Sequence, residues 1–86
     1  MRRIEYSNKA KKFLKKLDKH LVQRIFNRIE KLQENPIPSD AKFIGRDNKN
    51  DKIFRYRVGD YRALYKVKES VVLIAKIDKR PRVYDR

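Results

Sequence analysis

The stretch IFRYRVGDYRALY, Ile53 to Tyr65, decides the fold. Two runs of alternating apolar and polar residues flank Gly59-Asp60. A Gly-Asp pair suits a two-residue type II′ turn, because Gly takes the positive φ at the first central position. A turn that tight fixes the register on both sides. Val58 is expected opposite Tyr61, Arg57 opposite Arg62, Tyr56 opposite Ala63, Arg55 opposite Leu64 and Phe54 opposite Tyr65. Side chains alternate with period two, so Phe54, Tyr56, Val58, Tyr61, Ala63 and Tyr65 share one face, and Arg55, Arg57 and Arg62 share the other. The first face is core and the second is a guanidinium cluster. Like charges directly opposite one another cost up to about 1 kcal/mol in a sheet, so Arg57 against Arg62 calls for an anion between them. Phosphate fits, because the planar guanidinium binds its oxygens bidentately and stays charged at any accessible pH. The alternative is a solvated polar face that happens to use arginine.

Moving towards the N-terminus, Asn35 to Asp51 holds Pro36, Pro38, Gly45 and the polar run RDNKND and reads as connection, with Lys42-Phe43-Ile44-Gly45 a brief anchored segment inside it. Before it, Leu21, Val22, Ile25, Phe26, Ile29 and Leu32 mark an amphipathic helix ending ahead of Pro36, with Asp18 a candidate cap. Earlier still, Ala10, Phe13, Leu14 and Leu17 follow the i, i+3, i+4, i+7 spacing of a first helix that Ser7 or Asn8 caps. The opening RRIEY is a short edge or docking strand. Towards the C-terminus, a turn at Lys68 to Ser70 leads into Val71 to Ile77. That nearly continuous apolar run argues for a strand buried on both faces, with Lys76 its only charge. The order defines an α+β fold, β-α-α-β-β-β, with two N-terminal helices packed on one face of a largely antiparallel four-stranded sheet. If the tail DKRPRVYDR returns across the uncovered face, Arg80, Arg82 and Tyr84 join Arg55, Arg57 and Arg62 around one concavity.

Composition narrows the function classes. The chain has 86 residues, enough for a single domain spanning 1–86 and one modest core. It has no cysteine and a single histidine, His20, so disulfides, thiolate chemistry and a histidine metal site are excluded and no cofactor is expected. No apolar run approaches the roughly 20 residues that span a bilayer, and MRRIEYSNKAKK has no apolar stretch behind it, so a soluble cytoplasmic protein is expected. The net charge of +14 predicts a polyanionic partner, nucleic acid first and an acidic protein second.

With these elements in place, the sequence resembles the RelE/ParE superfamily of type II toxins. RYRVGDYRALY at Arg55 to Tyr65 and DKRPRVY at Asp78 to Tyr84 carry the resemblance, and KFIG at Lys42 to Gly45 looks like the lead-in to the family's second strand. In the RelE branch the resemblance implies an endoribonuclease that enters the ribosome and cuts messenger RNA in the decoding site. The implied reaction is attack by a ribose 2′-hydroxyl on the adjacent phosphate, and a cognate acidic, RelB-like antitoxin holds the enzyme in check in a hetero-oligomer. Arg55 and Arg62 match basic active-site residues, Arg80 a residue that supports the leaving group, and Tyr84 an aromatic that stacks on a base. Arg57, Arg82, Lys42 and Lys52 are expected to bind substrate. The family's general-base lysine falls on Ile53 here. Either a bulge turns Lys52 inward, or Lys42 serves, or catalysis rests on charge stabilisation and ribosomal groups. ParE-type members that act on DNA gyrase share the scaffold and give the alternative function, and a non-catalytic basic nucleic-acid-binding module is a third. The lysine faces of the helices, including Lys11, Lys12, Lys15 and Lys16, are solvated surfaces or a grip on ribosomal RNA.

Overall fold

The computed structural model describes residues 2–80. Its elements run β1 (Arg3–Tyr6), α1 (Asn8–Leu14), α2 (Lys19–Glu30), a 3-10 turn (Lys31–Gln33), β2 (Lys42–Arg46), β3 (Lys52–Val58), β4 (Tyr61–Lys68) and β5 (Val71–Lys79). The strands form one sheet in the order β1-β5-β4-β3-β2, antiparallel except for the parallel β1 and β5 pair. No helix among the described residues is long and apolar enough to cross a membrane.

The β3-β4 hairpin has the register expected of it at every pair from Phe54 and Tyr65 to Val58 and Tyr61. Gly59 has φ +59°, and Asp60 is not among the residues with positive φ, which is the II′ pattern. A Cβ on Gly59 would meet nothing within 4 Å, so glycine is required there for its conformational freedom and not for space.

The sheet has five strands where four were expected. Lys42 to Arg46 is not an isolated anchor but an edge strand pairing with β3. A bulge between Phe43 and Gly45 breaks its period, which is why alternation did not reveal it. Ser7 caps α1, its Oγ accepting from the Ala10 amide at 3.1 Å and donating to the Ala75 carbonyl at 2.6 Å. Asp18 holds the cap position of α2 but makes no capping hydrogen bond.

The core lies between the helices and one sheet face: Ala10, Leu14, Ile25, Ile29 and Leu32 meet Phe54, Tyr56, Val58, Ala63, Tyr65, Val72, Ile74 and Ile77. Burying a large apolar side chain is worth roughly 1.5–3 kcal/mol, so this one layer supplies most of the driving force. The expectation that Val71 to Ile77 is buried on both faces is corrected. Val72, Ile74 and Ile77 are buried, whereas Val71 and Leu73 are only partly covered. The register skips Ala75, with Leu64 opposite Lys76 and Tyr65 opposite Ile74. That bulge lets Ile74 and Ile77 face the same core although they are three positions apart, and it turns Lys76 and Asp78 to the uncovered face.

Candidate active site

The hairpin's alternation sends Arg55, Arg57 and Arg62 to the face without helices, and there they line a groove of about 650 Å³ with Arg28, Asp40, Lys42, Gly59 and Arg80. Arg57 faces Arg62, and Arg62 faces Asp78, in one row across β3, β4 and β5. The neighbouring row runs from Lys42 through Arg55 and Leu64 to Lys76. Arg80 sits over the hairpin turn, its amide donating to the Asp60 carbonyl at 2.7 Å and its Nη1 to the Gly59 carbonyl at 3.5 Å. Of the residues expected from sequence, Arg55, Arg57, Arg62, Arg80 and Lys42 are thus brought together. Lys52 is not. It begins β3 opposite Arg46, exposed and on the Phe54 side of the strand, and the bulge in this strand pair lies on β2, so nothing turns Lys52 towards the arginines. Arg82 and Tyr84 lie outside the described residues.

The anion that Arg57 and Arg62 call for is supplied in part by the chain. Arg62 donates from Nε to Asp78 Oδ1 at 2.8 Å and from Nη2 to Oδ2 at 3.4 Å, with Lys76 Nζ 3.7 Å from the same Oδ2. The hydrogen bond to Asp78 pushes the Arg62 pKa further up. Sequence reading missed this pairing because it needs the β4-β5 register, which the bulge at Ala75 offsets.

It also missed Arg28. This residue reaches the groove from α2, its guanidinium carbon 4.9 Å from the centre of the Tyr56 ring. Nη2 donates to Asp40 Oδ2 at 3.2 Å and to the Arg57 carbonyl at 3.3 Å. Beyond Lys42, β2 no longer pairs with β3, so Arg28 satisfies a carbonyl on an otherwise open edge. A signal existed. Arg28 lies three residues after Ile25 and four before Leu32, on the flank of the apolar stripe, where a long stem can pack and a charged head can emerge.

Farther along the uncovered face, the β2-β3 loop is tied down. Lys66 Nζ lies 2.7 Å from Asp47 Oδ2 and 3.0 Å from Asp51 Oδ2, and Asp47 Oδ1 accepts from the amides of Lys49 and Asp51. The hydrogen bond from Lys66, then that from the Asp51 amide, holds the Asp47 carboxyl down to about 2. A carboxyl depressed on folding stabilises the fold above its unfolded pKa near 4 and loses that contribution as pH falls towards the folded value. Asp47→Asn is therefore expected to lower the melting temperature at pH 7, with the gap from the parent narrowing between pH 4 and pH 2. Thermal unfolding of both proteins at pH 7, 4 and 2 checks this, and a constant gap would remove Asp47 ionisation as the cause. Among the described residues no group of three or more His, Asp or Glu converges as a metal-binding set.

Comparison with known proteins places this geometry. The family described as "ParE toxin of type II toxin-antitoxin system, parDE" matches residues 4–84. Putative toxin RelE1 of Methanocaldococcus jannaschii is 31% identical over 83 residues, covering 94% of this chain and 92% of the relative. The chain superposes on a structure of the archaeal RelE-RelB complex from Pyrococcus horikoshii OT3 with a TM-score of 0.80 at 27% identity, over 95% of this chain and 98% of that one. The isolated E. coli RelE toxin shares the fold with a TM-score of 0.75 at 20% identity, over 96% of this chain and 88% of that one. With the arginine-bearing hairpin, the five-stranded sheet and these relatives in agreement over nearly its whole length, the chain belongs to the RelE/ParE superfamily of type II toxin-antitoxin toxins, on its RelE-like branch.

Proposed function

We propose that this toxin is a ribosome-dependent messenger RNA endonuclease. The observation that carries the reading is the convergence of Arg55, Arg57, Arg62, Arg80 and Lys42 on one groove. In the reaction a ribose 2′-oxygen attacks the adjacent phosphorus and the bond to the 5′-oxygen breaks. The products are a 2′,3′-cyclic phosphate and a 5′-hydroxyl, which takes up a proton as it leaves. Negative charge gathers on the non-bridging oxygens, and guanidiniums already in place stabilise it without reorganisation. Arg80, over the turn, is suited to the leaving oxygen. Lys42, beside Arg55, is the candidate to take the 2′-hydroxyl proton, because the fold keeps Lys52 out of the groove. Tyr84 is the candidate to stack on a base, a contact worth about 1–3 kcal/mol.

The restraining partner is an acidic antitoxin. The net charge of +14 favours one, and the solved relative from P. horikoshii is a RelE-RelB complex. A second reading, a ParE-type inhibitor that binds its target without cutting RNA, is favoured by the description of the matching family and by Ile53 standing where the family's base is expected.

Translation in a reconstituted extract separates the two. The 5′ ends of ribosome-bound message are mapped with the protein and with an Arg62→Ala, Arg80→Ala variant. Cuts in the decoding site that vanish with the variant are expected, whereas intact message with normal protein output would overturn the nuclease reading and turn attention to gyrase.

A further inference from the structure

We propose that Asp78 is a positioning residue for phosphate binding: it grips Arg62 side-on and presents the remainder of that guanidinium to a phosphate in the groove. The inference rests on the reading of the groove as a phosphate site. Arg62 lines the groove and Asp78 does not. Both carboxylate oxygens are engaged, Oδ1 by Nε at 2.8 Å and Oδ2 by Nη2 at 3.4 Å, so the Nη1 hydrogens and one on Nη2 stay available. Arg57 faces Arg62 on the opposite strand. Without the carboxylate behind it, Arg62 would be pushed off that row by its like-charged neighbour. Asp78 therefore opposes phosphate in one sense and prepares for it in another. It subtracts a charge from the groove, which weakens RNA binding, and it fixes the donor geometry that a transition state uses.

The two effects separate on substitution. In Asp78→Asn the groove gains net positive charge, so RNA binds with unchanged or slightly higher affinity, while turnover on ribosome-bound message falls by up to about 100-fold. A residue needed only for folding would lower both together. The test uses the full chain, a short RNA whose central riboses are 2′-deoxy and so resist cleavage, and NMR of the arginine Nε–H groups. In the parent protein, added RNA is expected to shift the Arg62 Nε–H signal. In Asp78→Asn that signal loses its protection from exchange, and Asp78→Glu restores part of the turnover. In an Arg62→Ala background, Asp78→Asn has no further effect, because Asp78 acts through Arg62. The inference is overturned if RNA leaves the Arg62 signal of the parent unmoved, if Asp78→Asn leaves that signal protected, or if the two substitutions multiply. Should the parent cut no message, the nuclease reading fails by itself, and the NMR and affinity measurements still decide the role of Asp78.

Discussion

Arg55→Ala is expected to slow message cleavage by about 100- to 1000-fold, the usual loss when one preorganised donor to a developing oxyanion is removed. Arg55 stands in the middle of the groove's second row, between Lys42 and Leu64, and it has no carboxylate partner among the ion pairs of the described residues. Its charge is therefore directed at whatever occupies the groove, in contrast to Arg62, which shares its charge with Asp78, and Arg28, which shares its charge with Asp40. The substitution removes a half-exposed side chain from the uncovered face and takes a positive charge away from Lys42. Folding stability should stay within about 0.5 kcal/mol of the parent. The check is the rate of appearance of new 5′ ends on ribosome-bound message, measured beside a urea unfolding curve. Full-rate cleavage by a folded Arg55→Ala protein would remove this arginine from the chemistry.

The hairpin that carries Arg55 was legible because local chemistry fixed it. Gly59-Asp60 permits one tight turn, the turn fixes the register, and the register fixes the faces, so no long-range information was needed. The helices were legible for a similar reason, since their apolar stripes repeat with the helical period and a proline stops the second. What escaped was either irregular or distant. The bulge at Ile44 concealed β2, and the apolar Val71 and Leu73 on the partly covered face made β5, a strand with one buried face, read as buried on both. At Ile44 one extra residue shifts the alternation, and a pattern of period two has no means of signalling the slip.

The site follows the same division. Arg55, Arg57 and Arg62 could be placed together from one hairpin. Arg80 could be attached only on the condition that the tail returns across the uncovered face, and Lys42 only through resemblance, because their places depend on how β5 and β2 dock. Asp78 appeared in a quoted motif, yet its pairing with Arg62 depends on the offset β4-β5 register. Arg28 was the most recoverable of the omissions. An arginine on the flank of an apolar stripe is poorly placed for solvent and poorly placed for the core, and such a residue tends to emerge at the rim of a cleft. Lys52 shows the converse: strand parity set it on the wrong face, and the fold supplies no bulge to overrule parity.

Tyr65→Ala is expected to destabilise the fold by about 3–5 kcal/mol, the range for deleting a fully buried aromatic side chain. Tyr65 is the largest of the fully buried side chains. Its ring packs against Phe54 at 5.7 Å and Tyr56 at 6.5 Å between centroids. Its hydroxyl donates to the Pro36 carbonyl at 2.7 Å, tying the sheet to the loop that follows the helices. Burial pushes its pKa well up, so the phenol remains a neutral donor throughout the working pH range. Tyr65→Phe separates the two contributions. It keeps the ring and loses one hydrogen bond, at a cost of about 1 kcal/mol plus the penalty of leaving the carbonyl unsatisfied. A domain of this size has roughly 5–10 kcal/mol in hand, so the phenylalanine variant should fold normally and the alanine variant should stand near its limit. Urea unfolding with an unchanged m-value would assign both losses to the native state. Equal losses for the two variants would mean that the bond to Pro36 carries the effect and that the core closes over the missing ring. Because Tyr65 sits on the opposite face of the hairpin from Arg55, the folded fraction of Tyr65→Phe should cleave at the parent rate, and a slower rate would show that the core and the groove are mechanically coupled through β4.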